Sequence, residues 1–174
     1  LIVEKSGVLN LGVEGMMIIG AICGFIICVE FNSPILGLFG AALGGAFLSI
    51  IFGLVTQILL ANQVASGLAL TMFGLGLASL LGHSYTGIKP PYLAKPDIPL
   101  LADIPILGRV LFQHDFVVYF SIISVVIVWY ILKKTRLGLI IKAVGENQES
   151  AHALGYNVIK TRLYTIMVGG AFAG

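Results

Sequence analysis

Charge is what this sequence has least of. Only 10% of its 174 residues are Asp, Glu, Lys or Arg, and its mean hydropathy is +1.03. A soluble domain carries about 25% charged residues, so composition places the chain among membrane proteins. The net charge of +2 is small and gives no footing for a nucleic-acid partner. There are two cysteines, Cys23 and Cys28, both inside one apolar run. That excludes a disulfide framework and leaves buried free thiols. The three histidines, His83, His114 and His152, lie far apart with no metal-ligand spacing, so neither a metal nor a cofactor is expected. No G-x-x-x-x-G-K-[ST] phosphate loop occurs; "GVLNLGVEG" (7–15) starts with suitable glycines but has no Lys and follows no strand. No initiator Met, basic n-region or small-residue cleavage site opens the chain, so Leu1 does not begin a signal peptide. Because "VGGAFAG" (168–174) stops inside an apolar run, both ends read as cuts, and the chain is expected to be the middle of a longer one.

What the sequence does have is apolar length. A helix needs about 20 apolar residues to cross the hydrocarbon core. Runs at 15–29, 34–56, 64–82 and 116–132 qualify by composition, and a fifth starts near Leu163. The expected fold is an all-α, polytopic transmembrane helical bundle with about five spans. A turn is expected in "TQILLANQ" (56–63). Gly20 and Gly24, Gly40 and Gly44, and Gly170 and Gly174 recur at small-xxx-small spacing, which lets helix backbones approach closely. Lys133, Lys134, Arg136, Lys142, Lys160 and Arg162 crowd the stretch 133–162. In the loop 84–115, by contrast, Lys89, Lys95 and Arg109 are balanced by Asp97, Asp103 and Asp115. Basic loops stay cytoplasmic, so 133–162 is expected inside and 84–115 outside, with Trp129 and Tyr130 at the interface. The spans at 15–29 and 64–82 then run outward and the span at 34–56 runs inward.

Two stretches carry polar groups at membrane depth: "EKSGVLNLGVEG" (4–15) and "LLANQVASG" (59–67). Non-helical backbone survives there only when protein buries it or a water-filled cavity hydrates it, and broken helices at matching depth point to a substrate path. Asn10, Glu14, Asn62, Gln63 and Ser66 are the candidate path residues. The alternative for each is an ordinary interfacial turn, and Glu4 can snorkel to the surface. A third polar stretch, "AVGENQESAHALGYNVIKTR" (143–162), reads as soluble protein set between apolar walls. Asn147 is a good N-cap, Glu149 suits the first turn, and Gly155 is a natural C′ residue. These caps predict a helix over 148–154. Two turns are too few to be stable alone, so the segment should be held against something. A groove on a cytoplasmic partner is the candidate, with Gly145, Glu146, Asn147, Ala151, Leu154 and Gly155 at the contact.

"GLIIKAVGENQESAHALGYNV" (138–158) resembles the cytoplasmic loop of ABC-importer permeases for ribose, branched-chain amino acids and nucleosides. "SGVLNLGVEGMMIIGA" (6–21) is similar to the N-terminal signature of that family, in a Val-Glu-Gly-Met form nearest the nucleoside and simple-sugar branch. "ANQVASGLALTMFGLGLASLLG" (61–82) and "DIPLLADIPILGRVLF" (97–112) also resemble nucleoside permeases. The resemblance implies a type II ABC-importer-like permease domain filling 1–174, in a bacterial plasma membrane, with the helix at 147–154 as its coupling helix. It further implies two cytoplasmic ATPase subunits, a second permease subunit and an extracellular solute-binding protein as partners. The chain itself would be no enzyme, since ATP would be hydrolysed elsewhere. The implied solute is a nucleoside, with a simple sugar as the alternative. A rival from another class is an ion-coupled secondary transporter using Glu4 and Glu14, which would not need the capped cytoplasmic helix. An intramembrane enzyme is a third reading, and no nucleophile and base pair supports it.

Overall fold

The computed structural model describes residues 1–91 and 115–174. Most of the external loop expected at 84–115 therefore lies outside the described residues, with Lys95, Asp97, Asp103, Arg109 and His114 in it. Eight α-helices are described: α1 (Ile2–Lys5), α2 (Val13–Glu30), α3 (Pro34–Gly53), α4 (Gln63–Gly82), α5 (Phe116–Lys134), α6 (Arg136–Glu146), α7 (Gln148–Ala153) and α8 (Val158–Ala173). A single π turn, Leu54–Ile58, extends α3, and a 3-10 turn, His83–Tyr85, extends α4. No strand occurs among the described residues. Among the described residues, four helical stretches are long and apolar enough to cross a membrane: Val13–Glu30, Pro34–Ile58, Gln63–Tyr85 and Phe116–Lys134.

Local chemistry sets the boundaries. Asn32 adopts a left-handed φ of 47°, an αL conformation that Asn tolerates, and so ends α2. Pro34 then opens α3 at N1, where its missing N–H costs nothing. The side chains of Asn62, Thr135, Asn147 and Asn157 cap α4, α6, α7 and α8 by accepting backbone N–H bonds. The last of these sets the start of the helix that holds the expected fifth apolar run. Asn157 accepts from the Lys160 amide at 3.0 Å, so α8 starts at Val158, ahead of that run, and carries Lys160 and Arg162 in its first turns. It runs for 16 residues.

The long helices are apolar all round, so no amphipathic stripe chooses their inward face. Small residues choose it instead, as expected where lipid tails compete equally for large apolar side chains. The buried positions of α3 include Gly37, Gly40, Gly44, Gly45 and Ser49, and those of α4 include Gly67 and Gly74. Gly24 of α2 meets Gly37 and Ala41, while Gly170 of α8 and Gly174 at its C-cap meet Gly45 of α3. The glycine pairs at small-xxx-small spacing are thus used inside this chain. Around these crossings Met16, Ile19, Leu48, Phe52 and Ile166 form the core. Large side chains such as Leu43, Phe47, Met72, Leu80 and Val125 remain exposed, the surface expected where lipid is the solvent.

The contacts also fix relative direction. Gly12 meets Gly67 at the start of α2 and α4. At their far ends the Tyr85 hydroxyl donates to Glu30 Oε1 at 2.8 Å, and Phe25 meets Tyr85 edge to face. These two helices therefore run the same way, and α3 packs antiparallel against α2. At the starting end lie the N-terminal segment, the 59–62 loop, α6, α7 and the first turns of α8. This is the basic end of the molecule. α5 brings Lys133 to it, with the ammonium 5.3 Å from the Trp129 ring centroid. Of α5 only Ser124 and Leu132 are buried, and its main packing is against α6.

Candidate functional site

The first helix break is real. α1 ends at Lys5, Gly7 takes a φ of 78°, and regular helix resumes at Val13. The intervening turn is not loose. Ser6 and Val8 are buried, the Ser6 hydroxyl donates to the Val3 carbonyl at 2.6 Å, and the Thr165 hydroxyl donates to Ser6 Oγ at 2.9 Å. Asn10 organises the entry to α2, its Oδ1 accepting from the Gly12 amide at 3.0 Å and its Nδ2 lying 3.5 Å from the Met16 sulfur.

The second break touches the first. Gln63 Oε1 accepts the Leu9 amide at 2.8 Å, and the Thr71 hydroxyl lies 3.4 Å from the Leu11 carbonyl. The candidate path residues divide accordingly. Asn10 and Gln63 come together through Leu9. Asn62 is exposed and acts as the α4 cap, accepting from Val64 and Ala65 at 2.9 and 3.2 Å. Ser66 sits half-buried in the first turn of α4, and Glu14 is exposed in the first turn of α2. A cleft of about 800 Å³ opens between α5 and the group formed by α1, α2 and α8. Asn10, Val13, Ser124, Trp129, Lys142 and Phe172 are among its walls. Of the five candidate path residues, only Asn10 lines it.

The polar stretch near the end of the chain holds more helix than its caps suggest. α6 (Arg136–Glu146) went unread, although Leu137, Ile140, Ile141 and Val144 stand at helical spacing behind the capping Thr135. Gly138 of α6 seats against Ile131 and Leu132 of α5. α7 follows directly, with Asn147 Oδ1 accepting the Ser150 amide at 3.0 Å and Gly155 at a φ of 88°.

The structure corrects one expectation here. Ala151 does not sit on a face left free for a partner. It is 1% exposed and packs with Val144 of α6 and Val158 of α8. The small side chain lets a short helix dock on its own chain, which supplies the support that two turns require. What α7 and its C-terminal turn leave outside is Glu149, His152, Leu154 and Tyr156, with Leu154 73% exposed. Glu146 and Asn147 are exposed as well, while Gly145 is half-buried against the carbonyl of Lys5 and the backbone of Gly7.

Sequence reasoning also missed the group that ties these parts together. Arg162, read only as one more positive charge, is half-buried. Its Nε–H donates to the Ser6 carbonyl at 3.1 Å, and its Nη1 lies 3.5 Å from Gln57 Oε1 in the π turn. Gln57 in turn lies 3.3 Å from the Thr56 hydroxyl. The available signal was an Arg one turn into an apolar helix, where a charge is costly unless it has partners.

Multiple long apolar helices packed on small residues, with a joint of short helices at the basic end, define a polytopic all-α membrane protein. The chain belongs to the family described as branched-chain amino acid transport system / permease component, whose model matches residues 1–174. It is 38% identical to a protein named a putative glucose ABC transporter permease from Haloferax volcanii, across 100% of this chain and 54% of that protein. It is 37% identical to a guanosine ABC transporter permease of Bacillus subtilis, across 98% of this chain and 57% of the relative. A nucleoside ABC transporter permease of Lactococcus lactis is 31% identical, with the same two shares. The chain thus spans about half the length of these curated relatives. No solved structure matches it.

Proposed function

We propose that this chain forms part of the membrane permease subunit of an ATP-driven importer, and that the solute is a nucleoside. The observation that carries the reading is the likeness across 98% of the chain to two permeases named for guanosine and nucleosides. It is supported by a capped, self-supported helix at the basic end, α7, which is of use to a protein that receives a conformational signal from another chain. On this reading two cytoplasmic ATPase subunits, a second permease subunit and an extracellular solute-binding protein complete the complex in a prokaryotic plasma membrane. The basic end faces the cytoplasm. Asn10 and the cleft it lines belong to the solute path, and α7 is the coupling helix. Glu146, Asn147, Leu154 and Gly155 present or shape the coupling surface, while Ala151 and Gly145 hold it to the chain. A simple sugar is the second reading, favoured by the relative named for glucose.

The test is uptake. The full-length permease, reconstituted with its ATPase and binding protein, should accumulate labelled guanosine or uridine in an ATP-dependent manner, and excess unlabelled glucose should not compete. Competition by glucose and none by nucleosides would move the assignment to the sugar branch. Uptake independent of ATP and driven by an ion gradient would remove the importer reading.

A further inference from the structure

We infer that the turn at Ser6 and Gly7 relays motion from α7 to the two helix breaks, and that Arg162 is its positioning residue. The inference rests on the coupling role proposed for α7. Both chain segments flanking α7 grip the one short stretch 5–7. On the N-terminal side Gly145, two residues before the Asn147 cap, lies against the carbonyl of Lys5 and within close contact of the Gly7 amide. On the C-terminal side Arg162 of α8 donates to the Ser6 carbonyl at 3.1 Å, and Thr165 donates to the Ser6 hydroxyl at 2.9 Å. A polar recess of about 330 Å³, lined by Glu4, Lys5, Lys142, Gly145 and Glu146, marks the same joint. A displacement of α7 therefore reaches residues 5–7 from two directions.

Arg162 also reaches the second break. Its Nη1 faces Gln57 Oε1 at 3.5 Å, in the π turn that distorts the end of α3 ahead of the 59–62 loop. Such π turns inside α-helices recur at functional sites. One planar guanidinium thus touches the first break through Ser6 and the second through Gln57. No carboxylate among the described residues forms an ion pair with it, so it is held by neutral, directional acceptors whose geometry a rigid fork can enforce and a point charge cannot. Beyond the joint, Val8 is buried in the core, the Leu9 amide is fastened to Gln63, and Asn10 lines the cleft. The connection from coupling helix to cleft is continuous.

The experiment uses the full-length permease, with all its native cysteines, Cys23 and Cys28 among them, replaced by Ala, in proteoliposomes with its ATPase and binding protein. The readout is solute moved per ATP hydrolysed. Arg162→Gln should assemble with the ATPase and lower this ratio about fivefold or more, the lower end of typical coupling between sites. A purely structural side chain would lower yield or stability and leave the ratio alone. Ser6→Cys with Thr165→Cys, placed where the hydroxyls already meet at 2.9 Å, should restore the ratio of Arg162→Gln on oxidation and lose it again on reduction. The same cross-link on the Arg162 background should leave the ratio unchanged, because turn and α8 move as one body. A wild-type ratio in Arg162→Gln, an oxidised cross-link that fails to restore it, or a cross-link that stops transport on the Arg162 background would each overturn the relay. Absence of solute-stimulated hydrolysis in the unmutated complex would count against the importer reading instead.

Discussion

Ala151 of α7 and Leu154 at its C-cap sit three residues apart, and the structure gives them opposite roles that substitution to Asp can separate. Ala151 is 1% exposed between Val144 and Val158. A carboxylate placed there must stay ionised at an effective desolvation penalty of several kcal/mol. Otherwise it takes up a proton and still buries an unsatisfied polar group at about 1–3 kcal/mol. A helix of six residues has no reserve against either cost, since isolated helices below about 12–15 residues are marginal in water. Ala151→Asp should therefore undock α7 locally while the apolar bundle, which does not depend on it, stays folded. Leu154 is 73% exposed, so Leu154→Asp should leave α7 in place. If that side chain is buried by the ATPase, its loss removes about 1.5–3 kcal/mol of transfer free energy. At about 1.4 kcal/mol per tenfold, that weakens association roughly ten- to hundredfold. The assay is paired. Hydrogen exchange of the amides at 150–156 reports docking, and equilibrium binding of the purified ATPase reports the interface. Ala151→Asp should lose both; Leu154→Asp should keep amide protection and lose binding. Wild-type protection in Ala151→Asp would refute the packing argument, and wild-type ATPase affinity in Leu154→Asp would refute the assignment of the outer face.

Gly74→Leu should lower the thermal midpoint of the detergent-solubilised protein, because a Cβ there meets the backbone of Gly15 at 2.9 Å and overpacking costs about 1–3 kcal/mol. Gly76→Leu, where nothing lies within 4 Å, is the control, and equal effects of the two would remove the α2–α4 crossing. For orientation, a single Cys at Thr86 in a Cys-free protein should react with an impermeant reagent in intact cells. One at Glu149 should react only after the membrane is opened, and the reverse pattern would invert the topology.

The spans were legible because length and apolarity suffice to define them: the expected runs at 34–56 and 64–82 lie within Pro34–Ile58 and Gln63–Tyr85. The α7 caps were legible because Asn147 and Gly155 act through local backbone geometry, which sequence specifies directly. α6 was legible in principle, but its apolar positions blend into the flanking hydrophobic runs, and only the Thr135 cap separates it from α5. Asn62 has a local role that the sequence left open beside the solute path. A polar residue in an apolar stretch suggested a solute path, yet a helix start needs an acceptor for its first N–H groups wherever it lies, and Asn62 serves that need.

Arg162 and Ala151 could not be read for a different reason, since their roles depend on which segments meet. The Arg162 bond to Ser6 spans 156 residues and its contact with Gln57 spans 105, and no periodicity encodes either separation. In a soluble protein an amphipathic face would at least have indicated which side of α8 turns inward. Here large apolar side chains suit lipid and protein equally, so hydropathy carries no such information. The inward side is carried instead by glycines and a few short polar side chains, Ser6, Ser49, Thr56 and Thr165, all buried. Among the described residues no buried side-chain nitrogen or oxygen is left without a hydrogen bond. In a membrane each such group must find its partner within the protein. A polar residue inside an apolar helix therefore marks a contact before it marks a ligand. Arg162, whose guanidinium meets both helix breaks, is the position where that rule yields a mechanism.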